Sequence, residues 1–215
     1  VITINPVSKK SGAVQARLRW LAHVVCPTPP KQIVFQEYVR AVTEQHERLE
    51  RLDRKLRDAV APWRLAPLVA ALQAPRGAEL TGAVILAAEL GDITRFDRPR
   101  KLMSYLGLTP SEYSSGGRRR QGGITKAGSG HPRRILVEGA WAYRYPPKVS
   151  RHLQLRLEKL PAEIQAMVWK AQVRLCRRYR QLAARGKHAN PVAVAIAREM
   201  AAFTWAIARP VLLAA

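Results

Sequence analysis

Two adjacent hydroxyls, Ser114 and Ser115, are followed by Gly116-Gly117 and by three consecutive arginines, Arg118, Arg119 and Arg120. A serine becomes a nucleophile only when something removes its proton and something else stabilises the charge that builds on the attacked group. Arginines supply the second requirement at a phosphoryl centre. The surrounding segment, GLTPSEYSSGGRRRQGGITKAGSGHPRR (residues 107–134), holds seven of the 13 glycines and is expected to be loop or strand margin. Residues 98–134 carry nine basic side chains against one acid, Glu112, a local charge of +8. A glycine-rich backbone exposes N–H groups, and arginine forks hold oxygens bidentately, so such a segment can close around a phosphodiester. No histidine precedes His131 in it, so a base must come from elsewhere in the fold or from another domain. Chemistry alone leaves the alternative open that this is a solvated basic loop with ordinary serines.

The chain as a whole is basic too, though less densely than this segment. The 215 residues contain 37 Lys+Arg and 15 Asp+Glu, a formal net charge of +22, with 47% hydrophobic residues. That composition buries a core and leaves a cationic surface, which excludes an ordinary enzyme for small anions and points to a polyanion. Nucleic acid comes first, because a basic surface gains affinity by releasing counterions from phosphates; anionic membrane is the weaker choice. The sequence shows no apolar run of the roughly 18 residues that a spanning helix needs, since Arg209 and Pro210 interrupt the C-terminal stretch. No partnership with a membrane is expected. No secretory leader is visible, and Cys26 and Cys176 lie far apart, as in a reducing cytoplasm. With no CxxC, no HExxH and five scattered histidines, no metal site is expected. The first residue is Val1, and the chain reads as a fragment.

Periodicity divides the chain into a lead-in (1–31), a coiled-coil-like helix (32–61) and a C-terminal domain (62–215) that contains the basic loop 107–131. In the second part Phe35, Tyr38, Val42, Gln45, Leu49, Leu52, Leu56 and Ala59 alternate spacings of three and four, a heptad seam. Residues 36–58 carry six basic and six acidic side chains, so this helix is built to meet another helix, either in its own domain or in a second chain. Two helices, Leu68 to Gln73 and Thr81 to Leu90, flank Pro75-Arg76-Gly77 like a helix-hairpin-helix. Glu79 stands where the second glycine of a phosphate-binding turn would be, which favours a structural hairpin. Asp97 is expected to cap a helix running to Leu106, and cap or turn roles account for Asp92 and Asp97 better than a metal site with Glu89.

Everything after residue 131 is expected to be helical: Pro132 to Arg144, Arg151 to Leu160, Pro161 to Ala184, and a last helix from Asn190-Pro191 that Pro210 ends. Residues 144–187 hold twelve basic side chains against Glu158 and Glu163. Lys170, Arg174, Arg177 and Arg178 recur on one side of the long helix, either as a nucleic-acid backbone track, which the overall charge favours, or as a solvated face. Trp141, Trp169 and Trp205 sit among apolar neighbours and are expected in the core rather than as base-stacking platforms. The fold class is therefore mainly α: a long heptad-bearing helix, a helix-hairpin-helix-like turn, a Gly-rich basic loop and a C-terminal helical bundle.

The words AELGDITRF (88–96), LMSYLGLTPSEYSSGG (102–117), GGITKAG (122–128), RRILVEGAWAYR (133–144), IQAMVWKAQVRLCRRY (164–179) and AIAREMAAFTWAIA (195–208) occur in this order. Together they resemble a bacterial insertion-sequence transposase family over roughly residues 32–208. Its members join an N-terminal RuvC-like DEDD nuclease domain to a C-terminal serine-bearing transposase domain and are guided by a bridge RNA. The resemblance implies DNA transposition in which a serine of YSSGG attacks a DNA phosphodiester and becomes covalently linked to it. Ser115 is the first choice and Ser114 the second. Arg118, Arg119, Arg120 and Lys126 fall on the family's basic positions, and Arg133, Arg134, Arg174, Arg177 and Arg178 extend the nucleic-acid-binding set. It also implies DNA and a structured guide RNA as partners and a nucleoid-associated place in a prokaryotic cytoplasm, while the heptad seam points to a homo-oligomer formed through residues 35–59. The family's four metal-binding acids belong to the RuvC-like domain, and residues 1–31 contain no Asp or Glu, so Mg²⁺ is implied for that domain and no cofactor for this chain. The alternative is a non-catalytic nucleic-acid-binding and oligomerisation module.

Overall fold

A computed structural model describes residues 11–118 and 120–213. The chain divides into two compact units, one through Arg57 and one from Asp58 onward. In the first, α1 (Ser11–Ala22) is followed by α2 (Pro29–Val60), which opens on Pro29-Pro30, where the missing N–H groups cost nothing. The Gln32 side chain ties the connection down: its Oε1 accepts from the Cys26 N–H at 2.6 Å and its Nε2 donates to the Val24 carbonyl at 3.3 Å. No residue of α2 is buried, and the seam positions Tyr38, Val42, Leu49 and Leu52 are exposed. The ion pairs of Arg40 with Glu37 and Glu44, and of His46 with Glu50, run along the helix itself.

The second unit is built round α9 (Ala189–Leu213), which packs on α3 (Ala66–Leu72), α5 (Pro99–Tyr105), α6 (Gly130–Ala140) and α8 (Ala162–Ala184). Val192, Ala193, Ile196, Ala197, Met200, Ala201, Thr204, Ile207 and Ala208 recur every three or four residues and are buried. The alanines among them allow neighbouring helices to approach closely. Two expectations about this helix are corrected. By length and composition α9 is apolar enough to cross a membrane, but the apolar side chains named above lie in the core. Pro210 does not end it, because the lost N–H costs one bond in the last turn while Val211 and Leu212 still pack on the core.

The hairpin of α3 and α4 (Leu80–Leu90) is structural. Gly77, at φ +84°, lies against the backbone of Gly139 in α6, and a Cβ there would collide with the Gly139 carbonyl oxygen. Glu79 is the N-cap residue of α4 and pairs with Arg156 of α7 (Arg151–Leu157) at 2.9 Å. Asp92 accepts from the Thr94 N–H at 2.9 Å, a turn role as expected. Asp97 is not the cap of α5: Arg98 holds that position and Asp97 reaches on to Lys101 at 2.5 Å, because a cation four residues ahead competes for the carboxylate.

The tryptophans also separate. Trp141 and Trp205 pack against the core, and the Trp205 Nε1 donates to the Phe96 carbonyl at 2.6 Å. Trp169 does not: it lies on the outer side of α8 with 48% of its surface exposed, because Val168, Ala171, Leu175 and Cys176 define the inward arc.

Candidate nucleic-acid interface

The glycine-rich segment is not a featureless loop. It folds into an antiparallel hairpin of β1 (Pro110–Glu112) and β2 (Gln121–Ile124), paired Pro110 with Ile124 and Glu112 with Gln121 across a bulge. Beyond the strands the ladder continues to the tip. The Tyr113 N–H donates to the Arg120 carbonyl at 2.9 Å, and Ser115 pairs with Arg118, whose N–H donates to the Ser115 carbonyl at 3.3 Å. Gly116-Gly117 is the two-residue turn, with Gly116 at φ +56°, a conformation that tight hairpin turns demand and glycine supplies.

Four groups anchor the base of the hairpin. The Thr125 N–H donates to the Thr109 carbonyl at 2.9 Å and the Lys126 N–H to the Gly107 carbonyl at 3.1 Å. Gly107 and Gly128, at φ +63° and +71°, pass so close to Ala127 and Tyr105 that neither position has room for a Cβ. Lys126 itself is left-handed, at φ 57°, a strained state for a side-chain-bearing residue. The Arg133 Nη1 donates to the carbonyls of Leu106 and Ala127, both at 2.9 Å, and so clips the two ends of the hairpin together. Beside it Glu89 accepts from the Ser129 hydroxyl at 2.9 Å and pairs with the His131 Nδ1 at 2.8 Å. The His131 bond, followed by that of Ser129, holds the Glu89 carboxyl below its ordinary range.

Strand alternation sorts the tip into two faces. On one, Ser114 donates to the Glu112 carboxylate at 2.8 Å and accepts from the Arg120 N–H at 3.2 Å. On the other, Tyr113 and Ser115 stand opposite Arg120 and Arg118. The Ser115 hydroxyl has no hydrogen bond among the described residues. All of Tyr113 to Arg118, and Arg120, are exposed. The pairing puts Ser115 on the same side of the hairpin as Arg118 and Arg120.

Of the site residues named from sequence, the structure thus gathers Ser114, Ser115, Arg118 and Arg120 at the tip and places Lys126 at the base; Arg119 lies outside the described residues. Arg133 has its Nη1 committed to backbone carbonyls, and Arg134 pairs with Glu138 at 2.7 Å. Arg174 and Arg178 both bind Glu199 of α9, at 2.9 and 3.4 Å, whereas Arg177 is exposed and makes no ion pair among the described residues. Sequence reasoning missed Glu112 as a proton acceptor for a serine. The signal was there: it is the one acid of residues 98–134, two positions before Ser114 in a strand-like stretch.

Residues 69–154, which include the whole hairpin, match the family described as Transposase IS116/IS110/IS902. The chain is similar to a protein named putative transposase y4qE from Sinorhizobium fredii, 46% identical over 192 residues, covering 89% of this chain and 46% of that one. It is also similar to a probable family 20 transposase of Pseudomonas aeruginosa, 31% identical over 159 residues, covering 71% of this chain and 47% of the relative. A transposase for insertion sequence element IS1533 from Leptospira borgpetersenii is 25% identical over 165 residues, covering 76% and 48%. The chain spans about half the length of these curated relatives.

Proposed function

Because the chain belongs to the IS116/IS110/IS902 transposase family, we propose that it is the DNA-engaging part of a transposase and that Ser115 is its nucleophile. One observation carries this reading: at the exposed hairpin tip the Ser115 hydroxyl has no hydrogen bond among the described residues, and Ser115 stands opposite Arg118. In the proposed step the Ser115 Oγ bonds to phosphorus while a bridging P–O bond of the strand breaks. The strand end leaves with its electron pair, the serine proton passes to a base, and Arg118 and Arg120 hold the non-bridging oxygens. The phosphoserine link keeps the bond energy of the phosphodiester, so the same chemistry run backwards joins the strand to a new end. Ser114 is the second choice, since its hydroxyl already donates to Glu112. No three of His, Cys, Asp and Glu converge among the described residues, and the Mg²⁺ that the family resemblance implies is proposed for the RuvC-like domain. The basic surface is the proposed seat of DNA and of a structured guide RNA.

The test supplies the N-terminal part of a relative with Mg²⁺ and terminal DNA of its element, trims the covalent product with nuclease and maps the nucleotide by mass spectrometry. A nucleotide on Ser115 is the expected result. A nucleotide on Ser114, or no adduct, overturns the assignment.

The exposed seam of α2 is the proposed contact between two copies. Tyr38, Val42, Leu49 and Leu52 place apolar surface in water at coiled-coil spacing, and the balanced charges flanking them suit a helical partner. Leu49→Asp with Leu52→Asp is expected to shift a dimer to monomer in sedimentation, with the helical signal of the remainder unchanged. An unaltered mass returns the seam to a role within one chain.

A further inference from the structure

The outward side of α8 combines a large exposed ring with unspent positive charge. Trp169 and, one turn later, Val173 are exposed at 48% and 40%. Lys170, Arg177 and Arg180 share that arc, are exposed, and form no ion pair or side-chain hydrogen bond among the described residues. Glu199 accounts for Arg174 and Arg178 on the flank, so the free cations are those nearest the ring. The helix carries one acid, Glu163, at its start. Among the described residues no guanidinium covers the Trp169 ring, in contrast to Trp205, which has Arg209 over it at 5.1 Å and its Nε1 committed to a carbonyl. Trp169 also lies beyond the segment matched to the transposase family.

We infer that this face of α8 is a track for unpaired nucleotides, in which a base stacks on Trp169 while Lys170, Arg177 and Arg180 hold the neighbouring phosphates. The inference rests on the reading of the chain as a nucleic-acid-engaging protein and deepens it by naming the form of nucleic acid. A base stacked in a duplex has no free face to offer a side chain, whereas a single strand does, and every base has a π-face, so the site is tolerant of sequence. From Lys170 to Arg180 the three cations extend about 15 Å along the helix, room for more than one phosphate. A neutral protein partner would leave them desolvated without counter-charge; a polyanion satisfies ring and charges together.

The test measures binding of the whole chain to labelled oligouridine, oligothymidine and a duplex over a salt series. Trp169→Ala is expected to weaken both single strands about tenfold, the size of one lost base–aromatic stack, with an unchanged salt slope and an unchanged duplex affinity. Trp169→Phe restores most of the loss. Replacing Lys170, Arg177 and Arg180 by Gln is expected to reduce the single-strand salt slope by about 2. The ratio of oligouridine to oligothymidine affinity identifies RNA or DNA as the natural strand. Unchanged single-strand binding in Trp169→Ala, or an equal loss on the duplex, overturns the track. The two readings fail differently: a silent Trp169 with duplex binding and the Ser115 adduct intact sinks only the track, and a wild-type chain that binds no nucleic acid sinks the transposase reading as well.

Discussion

Gly128→Ala is expected to destabilise the second unit by about 3 kcal/mol or more, the sum of a left-handed backbone that a side chain disfavours and a collision that the backbone cannot relieve. Gly128 sits at φ +71° where the chain leaves the hairpin and passes over the end of α5, and an added Cβ would run into the Tyr105 carbonyl oxygen. That carbonyl belongs to a helix whose Leu102 and Leu106 are fully buried, so it has no easy way to move. In a thermal melt a loss of this size lowers the midpoint by about 10 °C for a unit of this length. Gly116→Ala is the control, because that residue is also left-handed but has nothing within 4 Å of its would-be Cβ. Its cost is confined to the turn, and the melt should move by no more than a few degrees. Equal melts for the two variants would show that the base of the hairpin is not rigidly anchored. Ser115, 13 residues before Gly128, would then not be positioned by that base.

Arg156→Met is the second large effect. The Arg156 Nη1 donates to the carbonyls of Gln73 and Ala78 at 3.3 and 3.0 Å, and its Nη2 reaches Glu79 at 2.9 Å, with only 20% of the side chain exposed. One guanidinium thus ties α7 to the turn between α3 and α4 and neutralises the carboxylate at the start of α4. Methionine keeps the apolar stem but abandons two carbonyls and a charge, at a cost of about 2–3 kcal/mol measured by denaturant unfolding. Glu79→Gln alone should cost about 1 kcal/mol or less, since that carboxylate is more than half exposed and water replaces its partner. The double variant is expected to cost less than the two singles together. Additive losses would mean that the ion pair contributes nothing and that only the carbonyl bonds hold the turn.

Much of this protein follows from local sequence. The spacing of three and four along Val192, Ile196, Met200 and Ile207 marks α9 as a helix with one apolar side, because that period is a property of the helix itself. The Gly-Gly pair, the seven glycines and the local charge of +8 mark residues 107–134 as a basic, irregular segment around two serines. The YSSGG word of the same segment lies in the stretch that the family comparison matches. All of these are read within a window of a few turns.

What only the tertiary structure decided is which of those groups are still free to act. Arg174, Arg177 and Arg178 look alike in sequence, yet Glu199, more than twenty residues away, takes the first and third and leaves the second. Arg133 belongs by position to the basic cluster but donates to the carbonyls of Leu106 and Ala127. Trp169 and Trp205 both sit among apolar neighbours, and only the packing of α9 against α8 and α5 puts one ring inside and the other in water. Residue type and spacing determine charge, periodicity and turn propensity, since these arise from each residue and its chain neighbours. Availability is set by partners distant in the chain, because a charge or a ring is committed only when folding brings its complement within a few ångströms.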